Sequence, residues 1–550
     1  MRIYLYLILF IYFAFTLSLK EPKTNERLLG SFFRGSFDEN GIIEFDEEYI
    51  ITRIAWTKND DYKYNYLLGV FEVSNDKSFK DAVPIGMIKE EDGELKEELN
   101  ISSKNSLKYM RYVAPNKNNS DINPIKLIGY KKSLITEPDV LDENNYFQAT
   151  NLPLILIHTE NEEEPSRWGG DVNCNIKIIN EGKVDVNDSA VIKVRGRTTG
   201  IIPPKKPYRI KFSKKQKIFN FKGKEKKWTL IANHFDRSLL RNNIAFKISQ
   251  LMELPYTPRC LPVDVILNGN YRGNYYICDK IEVGKNRINI TKMFEIDNSE
   301  PNITGGYLLQ IDSLARGESR SVFKTQKGIT GQIIYPEDDK ITAEQENYIK
   351  YKLNKFEDEV YNGILDSIDL DSFSKYFIIE EFCGDPDHVW SSYYFRKERN
   401  DDKFYFGPAW DYDLAFDNDE RLFPTNEKTD FCFKYCDSAG TMREFIISLI
   451  ENKNVIEYIK NTWEKLYKTV LNENILANYI EEEKKKLEES SELNFIKWDN
   501  YIQEDDSSWN IDFGRKGENF EVSVEVVKDY VINRFKSLTE LIDNYYISAK

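Results

Sequence analysis

The spacing of apolar residues changes partway along the chain, and this change constrains the fold more than any single motif. Up to about residue 340 the apolar residues sit in short runs, many alternating with polar ones. Examples are EYIITRIAWT, YLLGVFEVSND, SLKYMRYVAP and IKLIGYK, then LPLILIHT, NCNIKIIN, SAVIKVRG, YRIKFS, KWTLIAN, PVDVILNG, NYYICD and GYLLQID. Period-two alternation between Asn-, Asp- and Gly-rich turns predicts strands. One helical stretch, LLRNNIAFKISQLM, interrupts them. After residue 340 helical spacing takes over, in ITAEQENYIKYKLNKFEDEVYN, SFSKYFIIEEFCG and the charged run from Asn454 to Leu493. Strands early and helices late predict an α+β protein.

Within this pattern, residues 28–132 read as an antiparallel β-sandwich, 133–151 as a polar linker, and 152–540 as a larger unit with an early mixed sheet and later helices. A length of 550 residues accommodates an accessory module beside one large domain. Hydrophobic residues at 41% and aromatics at 14% exclude a disordered chain. The net charge of −15 opposes binding to nucleic acid or to anionic lipid. His158, His234 and His388 are too far apart for a histidine-built zinc site, so any chemistry must rest on carboxylates, lysines and arginines.

Residues 1–18 carry one Arg and then an apolar run, the layout of a cleavable signal peptide. No later stretch is long and apolar enough to span a bilayer, so the expectation is a secreted or cell-surface protein. Six cysteines suit an oxidising compartment but allow 15 pairings. Cys432 and Cys436 read as a disulfide or as buried thiols, since no second pair has zinc spacing. Asn100, Asn118, Asn187, Asn289 and Asn302 are glycosylation sequons, usable in a eukaryotic secretory route.

The richest stretch for chemistry runs from Gly384 to Asp419. Asp371 is expected to cap a helix ending near Cys383, with Gly384 and Pro386 terminating it. Asp387 then lies in a loop. Ser391 to Lys397 and Lys403 to Phe406 read as the strands of a hairpin. A hairpin brings its outer ends together, so Asp387 and Asp411 should be neighbours, with Asp413 a third carboxylate. Loop carboxylates suit a hard divalent cation and activation of a hydroxyl, the two needs of phosphoryl transfer. The competing readings are turn-forming aspartates in an acidic protein and a glycosidase carboxylate pair. A second cluster, from Val191 to Phe219, contains the turn Arg195-Gly196-Arg197-Thr198-Thr199-Gly200, whose donors could hold phosphate oxygens. Eleven basic residues follow between Lys205 and Lys227, and those from Lys214 onward read as a solvated surface.

Two resemblances follow from these residues. GVFEVSNDKSF, KYMRYVAPN and IKLIGY resemble the galactose-binding-like (discoidin-type) β-sandwich, which implies either a spacer or a glycan-binding module. From about Leu152 to Arg534 the chain resembles the CotH (spore coat protein H) kinases. The resemblance rests on VRGRTTG with PPKKPYRIKF, KKWTLIANHFDRSLLRNNIAFKIS, NGNYRGNYYICDKIEVGKNRINI, GGYLLQID, GDPDHVWSSYYF, GPAWDYDLAFDND and Asn494-x-x-x-Trp498. It implies an atypical kinase fold using ATP with Mg²⁺ or Mn²⁺ to phosphorylate Ser/Thr hydroxyls of a secreted, cell-wall or coat protein. Asp387 matches the catalytic aspartate and Asp411 the metal-binding one, with Asp413 a metal or structural partner. Arg195 matches the nucleotide-covering region, and Lys206 or Lys211 the phosphate-binding lysine. Asp236 and Arg241 match a motif read as structural. Three positions depart from the family pattern: Asp279 where Glu would pair with the nucleotide lysine, Gln310 where Glu is frequent, and Ser392 where Asn would complete the metal pair. These departures keep a second reading open, a catalytically weak surface or adhesion protein of invasin type with a glycan-binding sandwich.

Overall fold

A computed structural model describes residues 26–32, 38, 41–56, 66–91, 94–95, 97–102, 105–115, 125–134, 145–313, 315, 321–387, 389–436, 442–504 and 518–549. The expected signal peptide, the sequon Asn118, His388 and the middle of the linker lie outside these residues. The chain divides into two compact units: Met1–Ala232 with Leu261–Ile277 and Lys486–Ile502, and Asn233–Cys260 with Cys278–Lys485 and Gln503–Lys550.

The first unit begins with β1 (Arg27–Phe32), β2 (Ile42–Trp56), β3 (Val70–Ser74), β4 (Val83–Met87), β5 (Glu90–Glu91), β6 (Glu94–Leu95), β7 (Glu98–Asn100), β8 (Leu107–Val113) and β9 (Ile125–Lys131). Seven of these form one sheet in the order β1-β9-β2-β8-β3-β4, with β7 also on β2, while β5 and β6 form a separate ribbon. Every pairing is antiparallel, as the alternation predicts. The length of β2 lets it pair with β9 along one edge and with β8 and then β7 along the other.

The strands that follow close into a barrel in the order β10-β11-β12-β13-β14-β16-β15. They are β10 (Leu154–Thr159), β11 (Val172–Asn180), β12 (Lys183–Val194), β13 (Tyr208–Gln216), β14 (Glu225–Ile231), β15 (Cys260–Leu267) and β16 (Asn270–Asp279). The sheet is mixed, as expected, because β10 pairs antiparallel with β11 and parallel with β15. Its closure has no local signal in the strand pattern. In β10 the side chains of Ile155 and Ile157 fill the barrel, and those of Leu154 and Leu156 pack in the core shared with the N-terminal sheet. Both faces of β10 are therefore apolar, and its run LILI shows little alternation.

A short turn of helix, α1 (Thr198–Ile201), leaves the barrel. The longer helices are α2 (Arg241–Leu251), α3 (Ala343–Tyr361), α4 (Leu370–Cys383), α5 (Arg443–Ile450), α6 (Lys453–Thr469), α7 (Glu473–Glu504) and α8 (Phe520–Ser548). The charged run from Asn454 is thus two helices. A capping box of Thr342 and Gln345 starts α3. The second unit also holds an antiparallel sheet in the order β18-β19-β17-β20-β21, made of β17 (Tyr307–Ile311), β18 (Val322–Lys324), β19 (Thr330–Tyr335), β20 (Tyr393–Lys397) and β21 (Phe404–Phe406).

One disulfide, Cys260–Cys278, joins β15 to β16, while Cys174, Cys383, Cys432 and Cys436 are buried thiols. Among the described residues no helix is long and apolar enough to cross a membrane.

Candidate active site

Helix α4 carries the chain to the acidic loop. Its N-cap is Asp369, whose side chain accepts from the Ser372 N–H, and Asp371 lies in the first turn. The expected cap was therefore two residues late. The helix ends at Gly384, which has φ +63°. A Cβ there would come within 2.7 Å of the Tyr530 hydroxyl and 2.9 Å of Thr425, so both the conformation and the space call for glycine. Helix α8 fixes this end of α4: the Tyr530 hydroxyl donates to the Phe382 carbonyl (2.8 Å), and the buried Arg534 donates to the Glu381 carbonyl (2.6 and 3.1 Å).

The hairpin β20–β21 forms as expected and delivers Asp411 at its far end. Three contacts hold the segment beyond it. The Tyr412 N–H donates to Asn242 Oδ1 (2.8 Å), and the Tyr412 hydroxyl donates to Glu380 Oε1 (2.8 Å). Arg241, in a buried ion pair with Asp236, donates to the Ala415 carbonyl (3.0 Å). Asp236 and Arg241 are accordingly structural, as read from the sequence. Burial pushes the Glu380 carboxyl up to about 8.

Ser392 Oγ donates to Asp411 Oδ2 at 3.1 Å, which joins the two outer ends of the hairpin. Both residues have positive φ, 56° at Ser392 and 75° at Asp411, a costly conformation for residues other than glycine. The charge of Asp411 contributes to the raised pKa of Asp385, Asp387 and Asp413. For all three, desolvation is the largest cause of the rise, followed at Asp385 and Asp413 by neighbouring carboxylates. At Asp387 the Arg421 guanidinium opposes the rise, with its Nη1 2.9 Å from Asp387 Oδ1. Asp385 accepts the Asp387 N–H at 3.0 Å. Sequence reading passed over Asp385, Glu380, Asp419 and Arg421. The repeat Asp385-x-Asp387 was the one local signal for Asp385, while Arg421 is 34 residues from Asp387 with no pattern linking them.

Asp411, Asp413 and Ser392 are hard oxygen donors, the chemistry a divalent cation prefers. Among the described residues no group of three or more His, Cys, Asp or Glu side chains is set to hold a metal ion. One or two such carboxylates, completed by water or ligand oxygens, would suit a divalent cation.

Asp279 is buried and makes its ion pairs with Arg259 (2.7 Å) and Arg287 (3.1 Å), and also accepts from Tyr256 (3.0 Å). Two arginines thus stand where a lysine partner was expected. Gln310 accepts from Gln332 Nε2 at 2.8 Å.

Arg195, Lys206 and Lys211 belong to the first unit. Arg195 is partly buried, and its N–H donates to the Pro207 carbonyl (3.0 Å) at the start of a turn whose Gly196 has φ +85°. Lys206 Nζ donates to the Ile201 carbonyl (2.9 Å), and Lys211 is exposed on β13. The buried lysine of this stretch is Lys205, which bonds the Asn274 carbonyl (2.5 Å) and Asn494 Oδ1 (2.7 Å). Burial drives its pKa well below the usual lysine range.

A family model described as "CotH kinase protein" matches residues 192–538, more than half of the chain. No curated protein matches. Among solved structures, one titled "CBM62 from Clostridium thermocellum Xyl5A" matches at 17% identity over 20% of this chain and 99% of that one. Its TM-score of 0.15 defines neither fold nor ligand for this chain.

Proposed function

The chain belongs to the CotH kinase family, and from that premise we propose that it is an exported atypical protein kinase. It transfers the γ-phosphate of ATP to serine or threonine hydroxyls of a protein acceptor with Mg²⁺ or Mn²⁺. The observation that carries this reading is the hairpin, which gathers Asp387, Asp411, Asp413 and Ser392 at one loop cluster. Asp387 is a third exposed and accepts the proton of the incoming hydroxyl, and desolvation makes it a better base than a free aspartate. Asp411, exposed and fixed by Ser392, and Asp413 would hold the cation. The metal–nucleotide complex supplies the phosphoryl group and neutralises charge as that group transfers.

The test is a thermal-shift titration with ATP and Mn²⁺ on the wild type and on Asp411→Ala. A metal-dependent nucleotide shift that the variant lacks supports the reading. The same shift in both proteins removes Asp411 from it.

The second reading, a weakly active surface protein whose N-terminal β-module binds glycan, draws on Ser392, whose hydroxyl is already engaged with Asp411. Saturable binding of galactosides without any nucleotide-dependent shift would favour it.

A further inference from the structure

Beside Asp387 a cavity of about 510 Å³ is lined by Pro386, Trp390, Arg421, Tyr435 and Cys436. Arg421 is its one cationic wall, and its geometry is unusual for a half-exposed arginine. The buried Asp419 grips it twice, Oδ1 accepting from Nε and Oδ2 from Nη2, both at 2.9 Å. Asp419 Oδ1 also accepts the Arg421 N–H at 2.9 Å, which closes a tight loop around the side chain. The turn is pinned further by the Leu422 and Phe423 N–H groups, both donating to the Asp419 carbonyl at 3.2 Å. A bidentate fork fixes the guanidinium plane as well as its position. The remaining nitrogen, Nη1, donates to Asp387 Oδ1.

Among the described residues no other donor reaches the Asp387 side chain. One carboxylate oxygen is therefore tied and the other is left for a ligand. A freely rotating aspartate would present its two oxygens interchangeably.

We propose that Arg421, clamped by Asp419, is the positioning residue that orients the Asp387 carboxylate, tying Oδ1 so that Oδ2 receives the proton of the acceptor hydroxyl. This rests on the kinase reading above for what the carboxylate does. The clamp itself is defined by the three residues alone. Orientation of a general base by a second group changes the rate of the chemical step more than acceptor binding, so the expected signature falls on kcat.

The experiment has two arms on the full chain. In the first, kcat and KM are measured for transfer from ATP with Mn²⁺ to dephosphorylated casein, for the wild type, Arg421→Ala, Arg421→Lys, Asp419→Asn and the Ala/Asn double variant. Arg421→Ala is expected to lower kcat by roughly 10- to 100-fold with little change in KM for casein. Arg421→Lys keeps one donor and should recover part of the loss. Asp419→Asn should reproduce the defect without touching Asp387, and the double variant should be no worse than Arg421→Ala. In the second arm, carbodiimide-driven coupling of an amine to Asp387 is followed by peptide mass spectrometry. Labelling of Asp387 should rise severalfold in Arg421→Ala and Asp419→Asn, with Asp369 as the unchanged internal control.

Unchanged labelling of Asp387 in an active protein overturns the clamp and leaves the kinase reading standing. Additive defects in the double variant likewise overturn the Asp419–Arg421 chain. Absence of transfer from the wild type, with no nucleotide-dependent thermal shift, overturns the kinase reading and with it the catalytic role given to the clamp.

Discussion

The molecule buries acidic groups in two contrasting ways, one in each unit. In the first unit Glu72 on β3 is fully enclosed, and each of its oxygens meets a basic side chain. Arg111 donates to Oε2 at 2.8 and 3.0 Å, and His158 Nε2 lies 3.1 Å from Oε1. Burial pushes its pKa up, but His158 and Arg111 outweigh burial and bring it down to about 2. In the second unit Asp385, Asp387 and Asp413 are raised, each in part by the charge of Asp411, and Arg421 pairs with Asp387. Glu72 is neutralised by its own structure and ties β3, β8 and β10 together. The loop aspartates are short of positive charge, and a cation brought by a ligand would supply it.

The largest expected effect on this contrast is from Asp411→Ala. It should lower phosphate transfer by at least about 10²- to 10³-fold while leaving the melting temperature unchanged or slightly higher, because it removes like-charge repulsion. Transfer assays paired with thermal melts check this, and a large drop in stability would make Asp411 a structural residue like Glu72. Next is Glu72→Gln, which leaves His158 in the core without its carboxylate and Arg111 with Glu162 alone. Breaking a buried pair from one side costs about 3–5 kcal/mol, read from urea denaturation, with transfer kinetics unaffected. A loss under about 1 kcal/mol would erase the distinction.

The pH dependence sharpens the comparison because the two sites have opposite signs. Glu72 has a folded pKa below its ordinary value of 4.5, so its stabilisation is complete above pH 4.5 and is lost as pH falls from there toward about 2. The difference in melting temperature between wild type and Glu72→Gln should narrow over that window. The loop aspartates are raised, so ionising them in the folded state is unfavourable, and acidification toward their ordinary value near 3.8 relieves that penalty. Melting Asp413→Asn beside the wild type should show the variant's advantage shrinking as pH falls. The smallest effect is expected from Asp369→Ala, where the carboxylate is satisfied by a helix N-terminus. Loss of the cap should cost about 1 kcal/mol in thermal or chemical denaturation.

How much could be read from the sequence depended on how local each feature is. The hairpin, its turn and Gly384 depend on residues within a few positions of each other, and they form where the alternation and the turn residues put them. The cap of α4 was misassigned because DLDSFSK offers two aspartates, and the choice between them is made by a distant contact, the Asp369 N–H donating to the Phe404 carbonyl at 3.0 Å. Barrel closure depends on β10 pairing with β15, more than a hundred residues later, for which no local spacing gives a sign. The single disulfide could not be picked out because nothing in Cys260 or Cys278 marks their strands as adjacent. The metal and base candidates were legible as aspartates flanking a hairpin. Arg421 and Asp419, which shape one of them, were not, because a fork between residues two apart looks in sequence like any surface turn.

The first unit is assembled from three separate stretches of chain, the last being Lys486–Ile502. During synthesis, at roughly 5–20 residues per second, Ala232 leaves the ribosome on the order of tens of seconds before Ile502. Over that interval the barrel lacks at first its last two strands, and Lys205 lacks its partner Asn494. The first unit is therefore completed only when its last segment, Lys486–Ile502, has been made. A truncation between residues 279 and 486 would leave every barrel strand in place but Lys205 without Asn494.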